Sequence, residues 1–167
     1  GIEIEGAANV EENEIVIEQA LAEDDPRFRF ACAHELGHFV LHYEAKRVFH
    51  ETTHAGEIYL DLYEQQADRF AEAFLMPAVE VMAELGELSR EAGKPAEELI
   101  GELICGANDA ALFIAERLSD LAGRFAVPTR SVALRLASLR FRDGQPLLAR
   151  SVREPLLSRF AHGQTTH

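Results

Sequence analysis

Apolar and polar positions alternate in two short stretches near the start of the chain, residues 2–5 (IEIE) and 14–19 (EIVIEQ). A period of two is typical of a β-strand with one buried face. The segment AANVEEN at 7–13 separates these stretches and is predicted as a turn. We therefore predict that a small sheet of two or three strands opens the domain.

Apolar positions take up a helical spacing from Asp25 onward. Asp25 suits the N-cap position and Pro26 the first helical position, which predicts a helix from Pro26 to about Tyr43. Residues 46–60 lack clear periodicity and are predicted as a loop.

Helices dominate the rest of the chain. Asp61 is the predicted cap of a second helix that runs to Met76, where Pro77 interrupts it and begins a third helix that ends near Gly86. The final 25 or so residues are weakly patterned. The predicted fold class is therefore α+β and mostly helical. Further helices are predicted at 96–105, 108–124 and 128–140, after a break at Gly93 and Pro95.

The first predicted helix contains the sequence HELGH within an otherwise apolar segment. His34 and His38 are four residues apart and project from one helix face, with Glu35 rotated from His34 by about 100°. Burying two imidazoles and a carboxylate without partners costs several kcal/mol, and a bound metal ion removes that cost. H-E-x-x-H on a helix is the signature of zinc peptidases, in which Glu35 would be the general base.

The alternative interpretation of HELGH is a pair of histidines bonded to the backbone. Gly37 argues against it. Glycine inside a helix costs about 1 kcal/mol relative to alanine, so its presence indicates a close backbone approach beside the site.

A third ligand is expected from the second helix, because catalytic zinc needs three protein ligands. Glu64 and Asp68 are four residues apart on one face, so Glu64 can face the two histidines and Asp68 can accept the free ring N–H of one of them. Taken alone, E-x-x-x-D is more often a solvated face. The neighbouring stripe predicted to pack on the core is Ala67, Phe70, Ala71 and Phe74.

HELGH followed by EQQADRFAEAFLMP resembles the ImmA/IrrE family of metallopeptidases over about residues 14–140. The residues that match the second motif of the family are Glu64, Ala67, Asp68, Phe70, Ala71, Leu75, Met76 and Pro77. Many members carry a helix before the first strand, whereas this chain begins close to its first predicted strand.

The resemblance implies a zincin-like peptidase core over 1–108, a helix-turn-helix-like segment over 109–142 and a C-terminal tail over 143–167. It implies zinc, with manganese as an alternative, bound by His34, His38 and Glu64. It also implies that the substrate is a helix-turn-helix transcriptional repressor, whose cleavage releases stress-response or mobile-element genes. Similar C-terminal segments in the family close the protease fold and need not bind DNA.

Peptide hydrolysis at such a site requires Glu35 to accept a proton from water and pass it to the departing amine. The strand at 14–19 is either a core strand or an edge to which an extended substrate adds. His42 lies one turn beyond His38 and is predicted to be too far along the helix to bind the same ion. Candidate oxyanion donors, each more easily explained as a surface residue, are His50, His54, Tyr59 and Tyr63.

Charge is unevenly distributed along the chain. The net charge is −13, yet residues 124–159 hold 8 arginines against 2 acidic residues, while residues 1–123 hold 8 basic against 27 acidic residues. Either the basic part packs on the acidic body or it forms an interaction surface. Residues 121–140 fit a helix-turn-helix with Arg130, Arg135 and Arg140 on its second helix, although the acidic body disfavours DNA contact.

Composition excludes few other functions. No apolar run approaches the length of about 18 residues that a membrane span needs, and no signal-peptide pattern is present, so we expect a cytoplasmic protein. Cys32 and Cys105 are predicted as buried small hydrophobes. Two alternatives to the peptidase remain open: a metal-stabilised regulator that binds DNA or a protein through its arginine-rich part, and a toxin–antitoxin component.

Overall fold

The computed structural model of the chain describes residues 6–9, 14–17, 25–49 and 56–161, with side chains over 14–17, 25–42 and 62–160. Among these residues the fold is the mostly helical α+β class that the sequence predicts. The elements are β1 (Gly6–Asn9), β2 (Glu14–Ile17), α1 (Pro26–Phe49), α2 (Gly56–Leu75), α3 (Ala78–Glu91), α4 (Ala96–Cys105), α5 (Asn108–Phe125), α6 (Thr129–Ser138) and α7 (Arg150–Ala161).

The chain divides into two compact units, residues 1–75 and 76–167. The first unit contains the hairpin, α1 and α2, and the second contains the remaining helices. The three segments expected from the sequence, with limits after residues 108 and 142, stay a prediction.

Strands β1 and β2 pair as an antiparallel hairpin, with Gly6 opposite Ile17, and both contact α1. The strand predicted at 14–19 is confirmed over β2. The turn predicted at 7–13 is wrong in its first three residues, which belong to β1. Alanine and asparagine have low β propensity, so pairing with β2 overrides their local preference. The strand predicted at 2–5 lies outside the described residues.

Helix α1 begins with the predicted cap. The backbone N–H of Arg27 donates to Oδ1 of Asp25 over 2.7 Å, which satisfies one of the amides that a helix N-terminus leaves without an intrahelical partner. This bond holds the pKa of Asp25 below its ordinary value.

The loop predicted at 46–60 is wrong at both ends. Helix α1 continues past Tyr43 to Phe49, and α2 begins before Asp61, at Gly56, so Asp61 is not its cap. Residues 44–47 (EAKR) are strong helix formers, and they extend α1 where no apolar periodicity signals it.

Helices α1 and α2 approach each other most closely at Gly37. A Cβ atom built there would lie 3.1 Å from Cα and 3.2 Å from the carbonyl oxygen of Ala67, and 3.1 Å from Cδ1 of Phe70. Ala67 is completely buried. The expectation that Gly37 permits a close backbone approach is therefore confirmed.

The apolar stripe predicted on α2 is only partly correct. Ala67 and Ala71 are buried and Phe70 is half-buried, but Phe74 is 58% exposed and does not belong to the core. Phe74 lies two turns beyond Ala67, and its ring stacks on that of Phe70, with centroids 5.7 Å apart. It borders an open groove of about 240 Å³ that is otherwise lined by Phe28, Arg29, Cys32, Ala33, Leu36 and Leu75.

Neither predicted buried cysteine is fully buried. Cys32 is half-buried in this groove, and burial raises the pKa of its thiol. Cys105, the last residue of α4, is exposed.

In the second unit, α3 continues through Gly86 to Glu91, so the predicted stop near Gly86 is wrong. Gly86 is buried, and a Cβ there would lie 3.5 Å from Cβ of Ala96, which is ordinary van der Waals contact. The break predicted at Gly93 is confirmed by its φ of +75°, a conformation that favours glycine. The largest fully buried side chains of this unit include Leu85, Leu88, Leu99, Leu103, Ile114, Leu121 and Leu136.

The weakly patterned end of the chain contains a seventh helix. Helix α7 packs on α5 and α6 and buries Val152 and Leu156. Among residues 150–160 of this helix only these two positions, one turn apart, are buried, and Pro155 lies inside the helix. So short an apolar stripe gives little periodic signal, and the helix depends on tertiary packing.

Helices α5 and α6 are joined at residues 126–128 and contact each other. Ala122, Val127, Val132 and Leu136, which fall where a helix-turn-helix packs its core, are buried, and Phe125 is half-buried. Helix α6 ends at Ser138, so Arg140 is not on it, contrary to the sequence-based expectation. Whether this pair acts as a DNA-binding helix-turn-helix stays a prediction.

Several arginines of the basic segment already have partners within the second unit. Arg124 contacts Glu84 at 2.6 Å and Glu91 at 2.7 Å, and Nε of Arg135 donates to the carbonyl oxygen of Met76 at 2.9 Å. These contacts favour the view that the segment packs on acidic and backbone groups. No helix in the described part of the chain is long and apolar enough to cross a membrane.

We predict opposite effects for the same change at two glycines. Gly37→Ala should lower the free energy of unfolding by about 1 kcal/mol, because overpacking against the Ala67 backbone exceeds the gain in helix propensity. Gly101→Ala in α4, where a Cβ meets no atom within 4 Å, should raise it by about 0.5–1 kcal/mol. Urea denaturation checks both variants. A stabilising Gly37→Ala would contradict the close approach.

Candidate metal centre

Three side chains from α1 and α2 converge on one point. His34 and His38 project from α1, and their Nε2 atoms lie 3.0 Å apart. Glu64 reaches from α2, with Oε2 3.1 Å from Nε2 of His34 and Oε1 3.3 Å from Nε2 of His38. Each of the three residues thus offers one ligand atom to a common position, as a group of this kind must to hold a metal ion.

This convergence follows from the close approach of the two helices. His34 and His38 lie three positions before and one position after Gly37, and Glu64 and Asp68 have the same relation to Ala67. Positions i−3 and i+1 of an α-helix lie on the same side of position i, at about 60° and 100° around the helix axis. Each helix therefore carries its two polar side chains on one side of the small residue through which it contacts the other helix.

Asp68 orients the ring of His34. The Nδ1–H of His34 donates to Oδ1 of Asp68 over 2.9 Å. The neutral ring then carries its lone pair on Nε2, the atom that faces Glu64 and His38. Carboxylates commonly fix metal-binding histidines in this way.

A second chain of hydrogen bonds leads away from His38. Its Nδ1 lies 3.0 Å from Nδ1 of His42, and Nε2 of His42 lies 2.9 Å from Oε1 of Gln66. His42 is buried, and its ring centroid lies 4.4 Å from that of Tyr63. His38 is therefore held through an imidazole and an amide, whereas His34 is held directly by a carboxylate.

The separations among the two imidazole nitrogens and the carboxylate of Glu64 are close to those of a tetrahedral metal site. Zinc–nitrogen bonds of about 2.0–2.1 Å place neighbouring tetrahedral ligands about 3.3 Å apart. The two Nε2 atoms lie 3.0 Å apart, Oε2 of Glu64 lies 3.1 Å from Nε2 of His34, and Oε1 lies 3.3 Å from Nε2 of His38. Lone pairs of two imidazoles and a carboxylate at such distances repel one another unless a proton or a metal cation lies among them. The donor set therefore suits a divalent ion.

The two imidazoles differ in their affinity for protons. Burial lowers the pKa of His34, but the hydrogen bond to Asp68 and the nearby carboxylate charges outweigh it, so this pKa lies above the ordinary value. For His38 burial prevails over the attraction of Glu64, with the charge of His34 acting in the same direction, so its pKa is lowered. His38 is thus the ring more readily available as a neutral ligand.

Glu35 is buried, with only 7% of its surface exposed. Its negative charge is one of those that raise the pKa of His34, so it acts on the cluster without being one of the three converging ligands. Glu64 lies at the surface, with 56% of its side chain exposed. The carboxylate of Glu64 is therefore accessible to solvent.

The structure describes the side chains of only some of the other residues that the sequence singles out as candidates. The side chains of Tyr59, His50 and His54 lie outside the described residues. Tyr63 is half-buried, with its ring against His42. His42 is not part of the three-residue group, and its exclusion as a ligand stays a prediction.

Sequence reasoning missed Gln66 and the contact of His42 with His38. The repeat of histidines at 34, 38 and 42 was a signal, because positions four apart share a helix face. Gln66 gave no such signal. It lies about 200° around α2 from Glu64, so a helical wheel places it away from the metal face.

Comparisons with known proteins support the motif-based resemblance. The model of the Peptidase_M78 family, described as the IrrE N-terminal-like domain, matches residues 8–137, which include the whole centre described above. The comparisons with curated proteins and with solved structures gave no significant match. Because the family model spans most of the chain, the protein belongs to the IrrE N-terminal-like (Peptidase_M78) family.

Proposed function

We propose that the protein is a metal-dependent endopeptidase with zinc held by His34, His38 and Glu64. The observation that carries this proposal is the convergence of two imidazole nitrogens, 3.0 Å apart, with the carboxylate of Glu64, whose two oxygens lie 3.1 Å and 3.3 Å from them. Imidazole suits zinc better than manganese, which prefers oxygen, and Mn²⁺ is the alternative. The family supports this assignment independently of the geometry.

Glu35 is the proposed general base. It follows His34 directly in α1, and burial keeps its carboxylate away from bulk water. Glu35 accepts a proton as the oxygen of a water molecule bonds to the peptide carbonyl carbon. It then gives this proton to the amine nitrogen as the C–N bond breaks. A divalent ion in the site would polarise the carbonyl and acidify the water.

The edge of β2 is the proposed binding surface for the substrate backbone. Within the described residues β2 is paired only with β1, and Ile15 and Val16 are 37% and 52% exposed. An extended peptide that adds to this edge gains main-chain hydrogen bonds. Tyr63, with His54 and Tyr59, is kept as a candidate donor to the oxyanion.

The proposed substrate is a helix-turn-helix transcriptional repressor, as the motif resemblance implies, cleaved in the cytoplasm to derepress stress-response or mobile-element genes. A DNA-binding role for the basic segment is not proposed. The contacts of Arg124 with Glu84 and Glu91 and of Arg135 with the Met76 carbonyl account for two of its cations within the fold.

Removing the proposed base should separate metal binding from cleavage. We predict that Glu35→Gln retains one metal ion per chain but lowers the rate of repressor cleavage by about 10²–10⁴-fold, because proton transfer is lost. The assay follows a co-expressed repressor by electrophoresis and mass spectrometry. Glu72→Gln, which alters another buried glutamate of the first unit, is the matched control and should cleave normally per metal-loaded chain. Cleavage by Glu35→Gln at the wild-type rate would exclude Glu35 as the base.

Replacing the proposed ligand of α2 should abolish tight metal binding. We predict that the wild-type chain retains one zinc ion after dialysis and that Glu64→Gln loses it. Saturating zinc at about 100 times the Kd should stabilise only the wild type, by about 2.7 kcal/mol. Elemental analysis and thermal unfolding check this. Glu80→Gln, an exposed change in α3, should behave as wild type. Full zinc retention by Glu64→Gln would refute the ligand assignment.

A further inference from the structure

The environment of His38 differs from that of His34 in a way the proposed function does not explain. His34 meets a carboxylate directly, whereas His38 meets a second imidazole, His42, which in turn meets Gln66. All three contacts lie between 2.9 and 3.0 Å, which is within hydrogen-bonding distance. His42 therefore takes part in an ordered chain of bonds.

The direction of this chain is fixed by its last member. The amide oxygen of Gln66 can only accept, so Nε2 of His42 must carry the proton and donate it. A neutral His42 then has an unprotonated Nδ1, which can only accept. The proton between His38 and His42 therefore belongs to Nδ1 of His38, and Nε2 of His38 is left with a lone pair.

That lone pair points to the position shared with His34 and Glu64. Nε2 of His38 lies 3.0 Å from Nε2 of His34 and 3.3 Å from Oε1 of Glu64. An unconstrained neutral imidazole can carry its proton on either nitrogen, and the Nε2–H form cannot bind a metal through Nε2. The bond chain from Gln66 favours the Nδ1–H form over the Nε2–H form.

His42 is held in place by burial and by a ring contact. The residue is 2% exposed, and its ring centroid lies 4.4 Å from that of Tyr63 at an interplanar angle of 43°. Gln66 and Asp68 lie about 100° to either side of Ala67 on α2. The two residues that flank the contact point of α2 thus each orient one histidine of α1.

We propose that His42 and Gln66 are positioning residues that hold His38 in its Nδ1–H tautomer, so that Nε2 is ready to bind a metal ion before the ion arrives. His38 keeps this tautomer in the metal-free protein as well as in the metal-bound protein. The role of His42 and Gln66 goes beyond the proposed function, because it does not depend on whether the protein cleaves peptides.

The first test reads the tautomer directly. In the metal-free full chain, two-bond ¹H–¹⁵N spectra about two pH units above the ordinary imidazole pKa of about 6.5 should give an unprotonated Nε2 for His38. Gln66→Met, which removes the acceptor at similar length, should produce a mixture of tautomers. Gln66→Glu, which keeps an oxygen acceptor, should restore the wild-type pattern. An Nε2–H tautomer in the wild type would overturn the proposal.

The second test reads metal affinity by competition with a chromophoric chelator for Zn²⁺. Gln66→Met and His42→Phe should weaken binding by about 10–100-fold, the usual effect of losing a partner that orients a metal ligand. Gln66→Glu should remain within about threefold of the wild type. The matched control is Gln65→Met, an exposed change one residue away, which should have no effect.

The outcomes separate this inference from the proposed function. If Gln66→Met shows both a mixture of His38 tautomers and weaker zinc binding, the positioning role of His42 and Gln66 is supported, even if no repressor is cleaved. If the tautomer and the zinc affinity are both unchanged in that variant, the positioning role is overturned, even if cleavage is confirmed. If His42→Phe does not fold, Gln66→Met still decides, because Gln66 is only half-buried.

Discussion

The contact between Gly37 and Ala67 sets the distance between the two helices on which the whole centre is built. With only a hydrogen atom on one side and a methyl group on the other, the helices approach until a Cβ at position 37 would be 3.1 Å from the Ala67 backbone. At this separation a glutamate of α2 reaches two histidines of α1. A larger residue at position 37 would meet the backbone of Ala67 and push the two helices, and with them the candidate metal ligands, apart.

The first unit contrasts with the second in how it is stabilised. Its buried hydrophobic residues, among those the structure describes, are alanines: Ala31, Ala33, Ala67 and Ala71. The second unit buries many leucines instead. Alanines bury little apolar area, so apolar burial stabilises the contact between α1 and α2 only weakly. A larger share of this stability comes from the hydrogen bonds of His34, His38 and His42 and, when one is bound, from a metal ion.

The candidate ligands were predictable because helical spacing is a local property. His34 and His38 share a face by their separation of four residues, as do Glu64 and Asp68, and the structure brings these groups together with Asp68 against His34. The helix ends were less predictable. The loop expected at 46–60 is helical at both ends and α7 was not foreseen, because both segments lack a strong periodic apolar face and are fixed by propensity or packing.

The sequence by itself determined the chemistry: which side chains can bind an ion, which can accept a proton, and that a glycine beside them permits close packing. Tertiary structure alone decided how those groups are oriented. Gln66 lies on the far flank of α2 from Glu64 by helical rotation, yet it meets His42, and His42 meets His38. Such contacts depend on where two helices cross. The crossing angle and the distance between the helices follow from the packing of both surfaces, so they cannot be read from the spacing of residues along one helix.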